Sequence, residues 1–339
     1  MGLLRRKQAV PALLLSFSCF AVASVPAFAD STRIATSASP AVFVQLMTGN
    51  LTVRASDQPE VAIDADQSLQ SRHVSNGPHP IPSQVNLWSQ TERTADGTTL
   101  RLEPETFLLP STEDGPHDAV YIRGSGNATI SIPSGTALVI GNVRRGALTI
   151  EGYKNGIFVA HVANGSVHLD GVSGTGAVQV NNGPIMADNS DFTRLRVRTV
   201  RGNMQFRNCN ATQIEATSLS GTIMYDDGTF APGLARFESE RGNVLIGVSG
   251  NGVQIGAHSS VGEIYSDAVP VRQGQTDTQA MLGHGGPVVT ATSESGSVIF
   301  YNGALRDHPA LRRRFAPRFR RLQQKPPQDG NVHLKRMLR

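Results

Sequence analysis

Three pairs of carboxylates stand close enough along the chain to suggest acid–base work: Asp226-Asp227, Glu238 with Glu240, and Asp188 with Asp191. Glycoside hydrolysis needs two carboxylates held at a defined separation. No neighbouring base accompanies these pairs, and adjacent acids at loop positions are ordinary solvated turn residues. His161 and His168 fall on different strands, with no HxxxH spacing and no carboxylate triad, so they do not make a metal site. Gly124-Ser-Gly126 and Gly174-Thr-Gly176 are turn glycines, not a phosphate loop, because no helix follows. The calcium-binding nonapeptide of some repeat proteins is missing. No catalytic residue, metal or cofactor is expected.

The element that must position any site is a repeat. A glycine followed by two alternating apolar residues returns at Gly146, Gly165, Gly183, Gly202, Gly221, Gly242 and Gly262, in steps of 19, 18, 19, 19, 21 and 20 residues. Each glycine is preceded by a second alternating set, such as Leu195, Val197 and Thr199 before Gly202, or Ile214, Ala216 and Ser218 before Gly221. Alternation places successive side chains on opposite faces of a strand. Each unit therefore reads as strand, glycine corner, strand. A unit this short cannot bury its apolar row alone, and stacking identical units solves that. The expected fold is all-β: a single-stranded stacked-coil β-solenoid, parallel β-helix-like, with about 19 residues per coil. Ser/Thr residues just before the corners (Thr199, Ser218, Ser239, Ser259, Ser293) suit a ladder of hydroxyl-to-backbone hydrogen bonds.

Two outward columns carry the remaining information. Before the glycines, Arg196, Glu215 and Arg236 alternate in charge on successive coils, a pattern expected of a solvated face. After the glycines the column runs Thr149, His168, Met186, Gln205, Met224, Leu245, Tyr265. Its later half is apolar where water should favour polar side chains. Met186, Met224, Leu245 and Tyr265 are therefore a candidate interaction surface, unless the insertion or the tail covers them.

Residues 1–29 read as a secretory signal: Arg5, Arg6 and Lys7, an apolar core from Ala12 to Val25, and an Ala27-Phe28-Ala29 cleavage site. The chain is expected to be exported, to the periplasm or surface of a bacterium. The mature chain keeps one cysteine, Cys209, which can form no internal disulfide and reads as a small buried filler. Residues 304–339 carry 11 Lys/Arg against 2 Asp/Glu, whereas residues 30–303 carry a net charge of −8. Within the tail, Leu311, Phe315, Phe319 and Leu322 fall at helical spacing between arginines, describing a short basic amphipathic helix kinked by Pro317. Arg312, Arg313, Arg314, Phe315, Arg318, Phe319, Arg320 and Arg321 are the candidate anionic-surface residues; the alternative is a disordered solvated tail or one folded back on the acidic body.

Residues 40–66 form an opening coil, with Val42, Val44 and Leu46 before Gly49. Residues 67–118 break the pattern as a proline-rich insertion with strands near Val85 to Trp88 and Thr99 to Leu102. Coils resume near Ala119 and run to about Ser266. After a loop at 267–287, Pro287 to Asn302 forms a last coil, so the solenoid domain spans 30–303.

The segments Gly49-Asn-Leu-Thr-Val-Arg, Pro59-Glu-Val-Ala-Ile, Ala128-Thr-Ile-Ser-Ile-Pro133-Ser-Gly135 and Gly146-Ala-Leu-Thr-Ile-Glu-Gly152 resemble the bacterial putative-adhesin β-solenoid family, over roughly residues 40–302. The resemblance implies an exported β-solenoid and supplies no catalytic residues. The expected role is a non-enzymatic binding, adhesion-like or structural element of the cell envelope. The alternatives are a carbohydrate-active hydrolase or lyase and a self-assembling solenoid subunit. The partners expected are an envelope component, anionic lipid or polysaccharide met by the tail, and a second copy of the chain. Nucleic acid is not expected.

Overall fold

A computed structural model describes residues 31–75, 84–87, 90–93, 99–102, 105–108, 118–250, 252–266 and 276–315. The leader expected at 1–29 lies outside the described residues. The alternating segments form strands whose inward residues are buried: Leu195, Val197, Ile214, Ala216 and Phe237 are all at most 1% exposed. Parallel partners are offset along the chain by about one repeat. Leu138 faces Ile157, Gly156 faces Gly174, Leu195 faces Ile214, and Met204 faces Ile223. The result is an all-β, β-solenoid-like body of stacked tiers around one continuous core. No helix of the described residues is long and apolar enough to cross a membrane.

Glycine corners set the tier spacing. A Cβ built on Gly165 would lie 1.7 Å from the Gly146 carbonyl oxygen, and one on Gly202 would lie 1.8 Å from that of Gly183. The same contact runs through the stack in the order Gly126, Gly49, Gly146, Gly165, Gly183, Gly202, Gly221, Gly242, Gly296, Gly262. Only a residue without Cβ permits that approach. The hydroxyl ladder is partial. Ser239, Ser293 and Ser259 donate to the carbonyls of Gly221, Gly242 and Gly296 at 2.8–2.9 Å. Thr199 and Ser218 are buried and make no such bond.

The tier order departs from chain order at both ends. Pro287 to Asn302 is expected as the last coil, yet it lies one tier inside the end. Val288–Ser293 pairs on one side with Leu234–Arg241 and on the other with Gly252–Ser259. Val298–Asn302 likewise sits between Val244–Val248 and Ile264–Ser266. At the opposite end Ala41–Leu46 inserts between Ala119–Gly124 and Leu138–Glu151.

The outermost tiers carry antiparallel strands. Asp277–Gly283 pairs with Gly252–Ser259, and Gln70–Val74 pairs with Ala119–Gly124. Glu60–Ala65 lies on Ala128–Pro133, with Thr32–Ala35 beyond it. These reversed strands occupy edges that would otherwise accept another parallel tier. The expected insertion therefore starts with a capping strand. Further along, two antiparallel pairs form, Gln84–Leu87 with Glu105–Leu108 and Gln90–Arg93 with Thr99–Leu102.

An internal position for the 288–302 tier has an energetic consequence. Phe300 is 1% exposed and Phe206, in the middle of the stack, is 0% exposed. Phe300→Ala should therefore cost about 3–5 kcal/mol, the range for a buried phenylalanine, and match Phe206→Ala in denaturant unfolding. A loss below about 1 kcal/mol would place that tier at a frayed end instead.

Candidate functional site

The outward column after the glycines is a continuous row in the structure: Thr149, His168, Met186, Gln205, Met224, Leu245, Ile299, Tyr265. Ile299 enters because its tier is intercalated. Of the two readings of Met186, Met224, Leu245 and Tyr265, an exposed surface or one covered by the insertion or the tail, the structure shows cover by the tail at the centre. Met224 is 3% exposed and Leu245 is 0% exposed. They pack with Ile299, Tyr301, Leu305 and Leu311 in a separate apolar cluster outside the main core. Met186 is half-buried, and Tyr265 is 40% exposed.

The cover is the start of the basic tail. After Gly303 the chain makes a 3-10 turn, Leu305–Asp307, then a helix, Pro309–Phe315. Proline suits the first helical position because its missing N–H would have no helical partner there. We refer to residues 304–315 as the strap. Asp226 anchors it: its Oδ1 accepts the Leu305 backbone N–H at 2.7 Å and the Tyr301 hydroxyl at 3.0 Å. Arg306 reaches Asp227 at 3.4 Å. The His308 Nε2 lies 2.7 Å from the Asn302 carbonyl oxygen, so that nitrogen carries the proton and donates. Gly247 makes room for Tyr301, since a Cβ there would meet the ring at 2.3 Å.

The expected amphipathic helix thus exists over its first turns, but Leu311 faces the protein body. Arg312 and Arg313 are exposed on its other side. Arg314 and Phe315 complete the helix, while Arg318, Phe319, Arg320 and Arg321 lie outside the described residues.

Among the candidate carboxylates, Asp188, Asp191, Asp226, Asp227 and Glu238 are held in structural bonds. Asp188 accepts from Arg207 at 2.6 and 3.0 Å and lies 3.0 Å from the His168 Nε2. These partners outweigh desolvation and hold its carboxyl below the usual range. Asp191 accepts from Asn210 at 2.5 Å, and Asp227 from Ser249 at 2.7 Å. Glu238 pairs with Arg236 at 2.6 Å. The charge ladder is therefore half formed: Arg196 bridges to Glu215 at 2.9 Å, but Arg236 turns along its own strand. Burial and the charge of Glu294 push Glu240 up. His161 is held down at about 4 by burial, so it is neutral near pH 7. Burial pushes the Cys209 thiol up to about 12, which keeps it protonated and unreactive. Among the described residues no group of three His, Cys, Asp or Glu could hold a metal ion.

The sequence reading missed a second outward apolar cluster. On the strands before the glycines, Ala41, Ala119, Leu138, Ile157, Val159 and Ala177 are buried, with Phe43, Tyr121 and Ile140 against them. Phe43 and Tyr121 stack at 4.8 Å. The readable signal was loss of alternation: Leu138-Val-Ile140 and Ile157-Phe-Val-Ala160 are apolar on both faces. Further along the stack, the Gln90–Arg93 and Thr99–Leu102 pair runs beside Asp191–Arg201 and Asn210–Ser220.

Fold and site together define a repetitive β scaffold whose polar groups mainly stitch tiers together. A family model described as Toastrack DUF4097 matches residues 42–299, and the chain belongs to that family. A putative cell adhesion protein from Clostridium sporogenes, known from a crystal structure, is similar over 80% of this chain and 100% of its own, at 11% identity and a TM-score of 0.24. The comparison with curated proteins gives no match. No enzyme family is indicated.

The strap's anchor makes stability depend on pH. Desolvation pushes the Asp226 carboxyl up from 3.8, outweighing its two hydrogen bonds and the Arg306 charge. A raised carboxyl opposes folding while it is ionised, and that opposition fades as pH falls through its folded pKa. Asp226→Asn keeps an acceptor oxygen and removes the charge. In thermal melts, wild type should gain stability relative to Asp226→Asn as pH falls from 7 toward 4. A relative loss over that window would mean that the charge holds the strap closed.

Proposed function

We propose that the protein is an exported, non-enzymatic binding or adhesion-like element of the cell envelope, built on a stacked-coil solenoid of about 19 residues per turn. The observation that carries this reading is the separation of charge. Residues 304–339 hold 11 Lys/Arg against 2 Asp/Glu and follow an acidic body. The strap fixes the start of that segment to one face of the body, and Arg312 and Arg313 already face solvent. A basic segment with Phe319 and Leu322 suits an anionic lipid or acidic polysaccharide surface, by charge attraction and aromatic insertion. The leader-like first 29 residues support export.

A hydrolase or lyase is disfavoured because Asp188 and Asp191 serve tier-to-tier bonds, Asp226 and Asp227 hold the strap, and Glu238 pairs with Arg236 of its own strand. The antiparallel strands at both ends disfavour end-on self-assembly by parallel stacking.

Because residues 304–315 cover buried apolar groups, the membrane test belongs downstream of them. Full-length protein should sediment with anionic liposomes at low salt and be released at high salt. Replacing Arg318, Arg320 and Arg321 with Gln should weaken binding by about 3 kcal/mol, roughly a hundredfold, at about 1 kcal/mol per basic residue. Unchanged, salt-insensitive sedimentation would reject the tail as the attachment element.

A further inference from the structure

The face beneath the strap has the make-up of a peptide groove. Its floor is the row Met224, Leu245 and Ile299, closed by Tyr301. Two carboxylates, Asp226 and Asp227, stand side by side at one end. The column is mixed before this row, with Thr149, His168, Met186 and Gln205 at the outward position, and becomes continuously apolar only at Met224, Leu245 and Ile299. With the strap lifted, that row would be an apolar patch with an acidic end, the make-up of a recognition surface.

The occupant seen here shows what the groove accepts. Leu305 and Leu311, six residues apart, are each 6% exposed and supply the apolar grip. The Leu305 N–H and the Arg306 guanidinium meet Asp226 and Asp227. The strap is held by Leu305 and Leu311, by the Leu305 N–H to Asp226, by Arg306 to Asp227 and by His308 to the Asn302 carbonyl, set against the entropy of ordering a dozen residues. It follows Gly303, whose φ of +72° lies in the left-handed region that glycine adopts freely, directly after Val298–Asn302. None of these links is a rung of a strand ladder, so opening the strap leaves the tiers paired.

We propose that this groove is a docking site for a short basic amphipathic segment of another protein, kept closed by the chain's own strap as a tethered competitor. The partner segment carries two leucine-sized residues about six positions apart, with an Arg or Lys directly after the first. Charge complementarity with Asp226 and Asp227 fixes its direction, and the leucine-sized residues fill the positions of Leu305 and Leu311. The inference deepens the binding reading above and names a partner class for the body, independent of Arg318, Arg320 and Arg321.

The test uses a fluorescent peptide with the sequence of residues 303–316 and the full-length chain. Leu305→Asp with Leu311→Asp should release the strap. Fluorescence anisotropy should then show saturable binding to the variant and binding at least roughly tenfold weaker to wild type, whose groove is mostly occupied. A peptide carrying the same two aspartates should not bind. No saturable binding by the folded variant, or equal binding by wild type, would overturn the proposal.

If the double variant does not fold, hydrogen exchange on wild type decides. Excess peptide should speed exchange at the Leu305 and Arg312 amides and leave the tiers protected, whereas unchanged strap protection at saturating peptide overturns the idea. A wild-type dimer that becomes a monomer in the double variant would seat a second copy's strap in the groove and overturn the choice of another protein. Vesicle sedimentation of the same variants separates this outcome from the tail reading, because Arg318, Arg320 and Arg321 are untouched.

Discussion

At one corner of every tier in the glycine column, a glycine lies so close to the glycine of the neighbouring tier that a Cβ would sit 1.6–2.3 Å from its carbonyl oxygen. That approach cannot be relieved by moving a side chain, because backbone meets backbone. It fixes the height of each tier and brings the two strand ladders into register. The inward rows then stack on like residues: Leu195 on Ile214, Val197 on Ala216, Phe206 on Tyr225. With one buried thiol and no disulfide among the described residues, the fold rests on this stacking and its hydrogen bonds. The inward corner after the second strand repeats the theme, with Tyr153, Val172, Ser190 and Cys209 all buried.

A stack held by edges must also end. The chain resolves this by placing its first and last parallel tiers one step inside and laying antiparallel strands over the outermost ones. The strap follows the same logic on the lateral face. Where the tier surface turns apolar at Met224, Leu245 and Ile299, a short segment closes over it, tied by Asp226 to both Tyr301 and Leu305. The difference lies in strength. The caps join ladders through several backbone pairs, whereas the strap relies on two leucines and a few polar links. A structural role suits the first device, and a displaceable one suits the second.

The glycine column and the alternating rows were legible because they are local. Each unit states its own corner and its own inward face within about 19 residues. Burial of Cys209 was legible for the same reason. Tier order was not, because Val289, Ala291 and Ser293 present the same edge as Ile255, Ala257 and Ser259, and either set fits beside Ala235, Phe237 and Ser239. The strand Asp277–Gly283 decides between them by capping one of the two. The apolar column at Met224 and Leu245 stood out as an anomaly, but its cover could not be read from period alone. Leu311 falls on the apolar stripe of the tail helix, but helical spacing identifies a face without saying what that face meets. The cluster around Ile157 and Val159 was not legible from alternation, because its runs are apolar on both faces of the strand.

Backbone contact at the glycine column, rather than glycine's general flexibility, holds the tiers at their spacing. Gly221 and Gly256 separate the two causes, because neither has a left-handed φ. A Cβ at Gly221 would fall 1.9 Å from the Gly202 oxygen, while one at Gly256 would meet nothing within 4 Å. Equilibrium denaturation of Gly221→Ala and Gly256→Ala compares them directly. The expected loss is above about 3 kcal/mol for Gly221→Ala, at or beyond the upper end of ordinary overpacking, and the expected change is within about 0.5 kcal/mol for Gly256→Ala. Equal and small losses at both positions would contradict control by backbone contact.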